Sequence, residues 1–215
     1  MKKEGIQLDY RIISGIVDPG SRVLDLGCGT GELMYLLEVE RKAKVQGIEL
    51  DEAAIYKCVE KGLSVFHGDI DSGLTEYPDQ SFDYVMLNQS LQQVKKADFV
   101  LKEALRVGKK VIVGFPNFAY ITARIMLFFR GKSPITESLP YRWYNTPNLR
   151  FLSISDFKRY CHGKGIKIVQ ERFLGERAVI NFWPNLTASS AIFVITHALV
   201  PLCGTAGDST RHGSP

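Results

Sequence analysis

Three alternating glycines, Gly27, Gly29 and Gly31, follow directly on the short apolar run Val23-Leu24-Asp25-Leu26. The helical pattern Glu32-Leu33-Met34-Tyr35-Leu36-Leu37 begins at once behind them. A strand that turns through glycines into a helix presents no β-carbons on one side, so a ligand can lie against bare backbone. Asp25, two residues before the first glycine, is a carboxylate able to hold an ammonium group. Eighteen residues beyond Gly31, the strand pattern Lys44-Val45-Gln46-Gly47-Ile48-Glu49 ends in an acid. A carboxylate at that place can accept both hydroxyls of a ribose. A dinucleotide fingerprint would require a third glycine three places after the second, and Glu32 stands there instead. NAD and NADP are therefore expected to bind negligibly.

These groups need a scaffold that brings strand ends together, and the rest of the chain supplies its pattern. Asp51 reads as the N-cap of a helix that runs through Ala54, Ile55 and Cys58 to a stop near Gly62. Ser64 to Ile70 is a third strand and its exit, with Asp69 at the exit. Phe82-Asp83-Tyr84-Val85-Met86-Leu87 is a fourth strand, followed by the loop Asn88-Gln89-Ser90-Leu91-Gln92-Gln93-Val94. Glu103 to Val107 ends the next helix, and Lys110 to Phe115 is a fifth strand. Strand and helix in strict alternation predict an α/β, doubly wound, mostly parallel sheet. With 215 residues, 45% of them hydrophobic, one core is expected. The expected organisation is one domain over 1–203, with an insertion at about 117–152, and a mobile tail over 204–215.

The Gly-x-Gly-x-Gly turn preceded by Asp25 resembles motif I of the class I S-adenosylmethionine (SAM) methyltransferases. That resemblance implies a seven-stranded Rossmann-like sheet. Ile166 to Leu174 and Ser189 to Thr196 would be strands six and seven, with seven antiparallel between five and six. It also implies SAM or S-adenosylhomocysteine as cofactor, seated by Asp25, Gly27, Cys28, Gly29, Gly31, Glu49, Leu50, Asp69, Ile70 and Asn88. Asp25 would take the ammonium of the amino-acid tail and Glu49 the ribose. Asp69 would accept the adenine amino group while Ile70 packs on the ring; the alternative use of Asp69 is to cap a turn. The loop after the fourth strand resembles motif IV of small-molecule methyltransferases, with Gln92 or Gln93 where histidine is frequent. That exchange removes the side chain whose unperturbed pKa lies near neutrality. No Asn-Pro-Pro-Tyr or Pro-Cys follows the strand, which disfavours transfer to amide or exocyclic amino nitrogen and to cytosine C5. No catalytic residue is assigned.

The second half is distinctive. Roughly thirty-five residues separate the fifth strand from the next helix, too many for a bare connection. Ala119 to Gly131 reads as a helix with a glycine stop, and another helix begins at Ser155. From 118 to 172 the chain holds ten Lys/Arg against three Asp/Glu, a balance of +7 within a whole-chain charge of +4. An acidic ligand or partner surface and a solvated rim over an aromatic mini-core both explain this patch. No recognised binding motif accompanies it, which argues against nucleic acid. The four cysteines and four histidines are scattered, without metal spacing. With no apolar run after the N-terminal lysines and no spanning segment, a cytoplasmic protein without a membrane is expected.

Phe115-Pro116-Asn117-Phe118, Leu139-Pro140-Tyr141-Arg142-Trp143-Tyr144-Asn145-Thr146-Pro147-Asn148 and Ser155-Asp156-Phe157 resemble the MetW branch of this superfamily, from about Tyr10 to about Thr196. That resemblance implies a role in methionine biosynthesis in association with homoserine O-acetyltransferase, and it implies no defined methyl acceptor. Two functions compete: an accessory or regulatory SAM-binding subunit of the acetyltransferase, and a methyltransferase acting on a small molecule. Gln93, Asn117, Tyr141, Arg142, Trp143 and Tyr144 are the candidate substrate or partner contacts.

Overall fold

Strands that are apolar at nearly every position cannot face water on either side, so they belong at the centre of a parallel sheet covered on both faces. In the computed structural model, which describes residues 7–175 and 178–197, β1 (Arg22–Leu26), β4 (Phe82–Asn88) and β5 (Gly108–Pro116) have this character and occupy the middle. β2 (Lys44–Glu49) and β3 (Ser64–His67) extend one side, and β7 (Ser190–His197) and β6 (Ile166–Leu174) the other. The order is β3-β2-β1-β4-β5-β7-β6, with β7 antiparallel to both neighbours. The order reverses between β1 and β4, and in such sheets ligands bind beyond the strand ends at that point.

Residue alternation along β1 assigns its side chains to two cores. Leu24 and Leu26 join Val85, Leu87, Val113 and Phe115 under α4 (Ala97–Val107) and α6 (Ile154–Gly163). Val23 joins Tyr84, Met86 and Ile112 under α1 (Leu8–Ile16), α2 (Glu32–Arg41) and α3 (Glu52–Glu60). Asp25 lies two residues beyond Val23, so it faces the α1–α2 side. α1 was not expected from sequence. Its segment contains Gly15 and no side chain caps its N-terminus, so tertiary burial of Ile13 sustains it instead of local signals.

α3 starts on Asp51, whose Oδ1 accepts from the Ala53 N–H at 3.1 Å. α6 starts at Ile154, one residue before the expected Ser155, with Ser153 as its N-cap. There a reciprocal capping box with Asp156 satisfies both end donors. Between β5 and α6 lie α5 (Ile121–Arg130), stopped by left-handed Gly131, and a long irregular run. α7 (Pro184–Thr187) is one short turn before β7. Residues 204–215, expected to be a mobile tail, lie outside the described residues.

The far side of the sheet is held by an aromatic cluster. Phe193 is fully buried, with ring centroids 4.9 Å from Phe157, 5.8 Å from Phe115 and 6.0 Å from Phe173. Phe193→Ala is expected to lower unfolding free energy by ~3–5 kcal/mol in urea titrations. A loss below about 1 kcal/mol would show that this cluster does not hold β7 in place.

Candidate functional site

The glycine turn lies where β1 ends. Gly27, Gly29 and Gly31 all have left-handed backbones, with φ of +76°, +55° and +81°, so a non-glycine residue is strained at each. Their surroundings differ. A β-carbon on Gly27 would stand 2.8 Å from Ser90 Cβ, and one on Gly31 would stand 2.5 Å from Leu63 Cδ1. One on Gly29 would meet nothing within 4 Å. Bare backbone is therefore offered to a ligand chiefly at Gly29. Gly31, expected among the cofactor contacts, lies outside the cavity and serves the packing of α2 on α3.

The cavity beyond these strand ends has a volume of about 710 Å³, and Asp25, Gly27, Cys28, Gly29, Glu49, Leu50, Asp69, Ile70 and Asn88 all line it. Glu49 is tied to the turn. Its Oε2 accepts from Gly29 N–H at 2.8 Å, and its Oε1 accepts from the N–H groups of Leu50 at 2.8 Å and Asp51 at 3.0 Å. Three of its roughly four acceptor sites are thus engaged. Accepting both ribose hydroxyls requires one of these bonds to give way.

Asp25 is only 3% exposed, and its carboxylate has no hydrogen-bond partner among the described residues. Burial, and then the charge of Glu49, pushes it up to about 7. Cys28 is pushed upward by burial and by the Asp25 charge, so it remains a thiol. Its sulfur fills the space that the missing side chain of Gly47 leaves. At the third strand's exit Asp69 does cap a turn, accepting from Asp71 N–H at 2.9 Å, while it also lines the cavity beside Ile70.

Asn88 ends β4. Its Nδ2 donates to Asp9 Oδ2 at 3.1 Å, and its buried Oδ1 has no partner among the described residues. Gly114 on the neighbouring strand has no side chain and so leaves room for that amide. Gln89 then adopts a φ of +60°, a strained conformation for a non-glycine residue. Its carbonyl accepts from Gln92 Nε2 at 2.9 Å and Gln93 Nε2 at 3.0 Å. Gln93 lines the cavity; Gln92 is buried and uses its own carbonyl to hold Leu149 N–H and Arg150 N–H. An adjoining cavity of about 680 Å³ shares Gln89, Gln93 and Tyr141 with the first. No histidine lines either cavity among the described residues, and none of those residues forms a metal-binding group.

Two groups of the site have no signal in the sequence. Tyr10 and Asp9 come from α1, and Tyr10 lines the main cavity, its phenol pushed up to about 12 by burial and by the charges of Asp9, Glu32 and Asp25. One expected contact, Asn117, is corrected, and three others, Arg142, Trp143 and Tyr144, line neither cavity. Asn117 is fully buried and lines neither cavity. Its Nδ2 donates to the carbonyls of Asn185 and Ala188, and its Oδ1 accepts from Ala119 N–H at 3.1 Å, so it is a staple between β5 and α7. Tyr141 does line the cavity, but Arg142 and Tyr144 pair with each other on the surface at 3.1 Å. Trp143 is 77% exposed and plugs no core.

The donor set fits SAM. A buried, unpaired Asp25 suits an ammonium, Glu49 and Asp69 offer acceptors for ribose and adenine, and Ile70 an apolar face. Solved structures share the architecture. A SAM-dependent methyltransferase from Thermotoga maritima, described as a possible histamine N-methyltransferase, matches with a TM-score of 0.63 at 20% identity, covering 88% of each chain. The [4+2]-cyclase SpnF matches with a TM-score of 0.63 at 17% identity, over 87% of this chain and 80% of that one. The fold is that of the class I SAM-dependent methyltransferases. The family model of the methionine biosynthesis protein MetW matches residues 7–195. The bifunctional methionine biosynthesis protein MetXA/MetW of Rhodopirellula baltica is 34% identical over 200 residues, 87% of this chain but only 32% of that protein. This chain belongs to the MetW family.

Two predictions follow from the geometry. Gly29→Val strains the backbone and fills the open side of the turn, and Glu49→Ala removes the ribose acceptor. Each is expected to cost ~1–3 kcal/mol of S-adenosylhomocysteine binding in titration calorimetry, about ten- to a hundredfold. Unchanged affinity in both variants would reject the pocket.

The second concerns pH. The fold favours the protonated Asp25, so the stability it contributes is complete below its unfolded value of about 3.9 and is lost as pH rises through about 7. The ligand-free protein is expected to unfold at lower urea as pH rises from about 5 to about 8, and Asp25→Asn to flatten that trend. A cationic ligand favours the ionised form, so affinity for SAM should climb toward pH 7, by at most about tenfold per unit. A pH-independent affinity would place the ammonium away from Asp25.

Proposed function

We propose that this protein binds SAM or S-adenosylhomocysteine in the cavity over Gly29 and Glu49 and serves as an accessory, regulatory subunit of homoserine O-acetyltransferase. The observation that carries this reading is the imbalance of the site. It gathers every kind of group needed to hold an adenosyl ligand, yet among the described residues no histidine lines either cavity to accept a proton from an acceptor. The relative from Rhodopirellula baltica supports the partnership, because its name joins MetXA to MetW in one chain. We take MetXA to be the acetyltransferase that the family resemblance implies.

SAM is the end product of that pathway. A subunit whose SAM-bound and SAM-free states differ in affinity for the acetyltransferase passes end-product level to the enzyme that activates homoserine. Among the described residues Cys28, Cys58 and Cys161 are free thiols, which suits a reducing cytoplasm. Among the described residues no helix is long and apolar enough to cross a membrane.

A second reading, small-molecule methyl transfer, is favoured by the adjoining 680 Å³ cavity. SAM supplies an electrophilic methyl on its sulfonium, and transfer to a nucleophile can run on proximity and orientation without a base. The site residues would then bind and orient the acceptor, with Asn88, Gln93 and Tyr141 nearest.

Purified acetyltransferase, assayed with and without this chain, separates the two. The accessory reading expects co-purification and a several-fold change in acetyl transfer, modulated by SAM by a factor of about 5–150. No capture and no change, together with S-adenosylhomocysteine released from SAM by an added small molecule, would establish methyl transfer instead.

A further inference from the structure

A ten-residue helix is marginal in water on its own and owes its order to packing of an apolar face. α5 packs the wrong way round. Of its residues Ile121 to Arg130, only Ala123 is buried. At 100° per residue, Ile121, Ile125, Phe128 and Phe129 fall within about 100° of arc, on the side opposite Ala123. That stripe faces solvent: Phe128 is 82% exposed and Phe129 75%. Their rings touch edge to face with centroids 4.9 Å apart, so they form one ridge. A contiguous apolar surface of this kind marks an interaction site.

We propose that α5 is the docking helix for the acetyltransferase, inserted by Ile121, Ile125, Phe128 and Phe129 into an apolar groove with an acidic rim. This rests on the accessory reading given above. The spacing i, i+4, i+7, i+8 is that of an amphipathic helix laid in a protein groove. The acidic rim follows from charge: residues 118–136 hold Arg124, Arg130 and Lys132 and no Asp or Glu. The occupant is argued from the fused relative, where a MetW-like segment makes up 32% of a chain whose name also carries MetXA. Joining two modules in one chain raises their effective concentration and favours an interface between them. Trp143 stands close by, sharing a small cavity with Phe118, just before α5, and with Ser133 and Pro134, just after it.

The test uses the full chain, the purified acetyltransferase and the variants Phe128→Glu and Phe129→Glu. Both positions are exposed, so the melting temperature and S-adenosylhomocysteine affinity are expected to stay at the wild-type values. Capture of the acetyltransferase is expected to weaken at least tenfold in each. Wild-type capture that survives in both variants overturns the docking face and leaves the accessory reading standing. A wild type that captures nothing overturns the accessory reading itself, and this assignment with it. A fall in melting temperature would show that this chain covers α5 itself. A dimer that either variant dissolves would assign the face to a second copy, and flotation on anionic vesicles abolished by either variant would assign it to a membrane. Each of these three also overturns the proposal.

Discussion

The bond from the Gly29 N–H to the Glu49 carboxylate, 2.8 Å long, is the contact on which the site depends. It joins the turn after β1 to the end of β2, the two strands whose ends form the cavity floor. The same carboxylate holds Leu50 and Asp51, and Asp51 in turn begins α3. One side chain thus fixes the glycine turn, the strand exit and the following helix. Glycine at 29 is needed for this: the backbone must turn left-handed to aim its N–H at the acid. The cost is electrostatic. Burial, and then the neighbouring Glu49, pushes the Asp25 carboxyl up to about 7, and an incoming cation would displace its proton.

The opposite wall depends on β4 and its loop. Gln89 holds a strained left-handed conformation, stabilised by its N–H to Gly114 O at 2.8 Å and by two glutamine side chains on its carbonyl. Gln92, one of the two glutamines at the place where histidine is frequent in the related motif, carries out a structural task instead. Its side chain closes the loop and its carbonyl receives Leu149 and Arg150, the returning end of the insertion. Cofactor wall and insertion are therefore mechanically continuous. The loop beside the cavity and the segment that follows α5 are joined at the Gln92 carbonyl.

Sequence patterns carried the sheet and the acids because both obey short periods. Glu49 and Asp69 were legible as strand-end residues, since alternating strand and helix places such ends at one edge. Asp25 was legible through its fixed offset from Gly27. Tyr10 and Asp9 were not, because α1 has no cap signal and reaches the site only through tertiary packing. Asn117 shows the converse error. An asparagine at a strand exit reads as a binding group, yet its partners are the carbonyls of Asn185 and Ala188, far along the chain. Gly31 looked equivalent to Gly29, and only the neighbours of its absent β-carbon separate a packing glycine from a ligand-facing one.

Direction is the quantity that periodicity lacks. Ala119 to Gly131 has the apolar content of a core helix, and a moment computed from sequence is the same whether the stripe points in or out. In this chain the buried contact is the small Ala123, which lets α5 approach the domain closely while its large side chains point away. The tryptophan of the Pro140–Pro147 segment behaves the same way, exposed where an aromatic between prolines could equally have filled a core. An insertion that places its largest apolar groups outward gains nothing for its own domain from those groups. Their hydrophobic contribution is realised only on contact with another surface. The fold thus divides its work: the strand ends bind, and the insertion, tied to them through Gln92, presents the outward face.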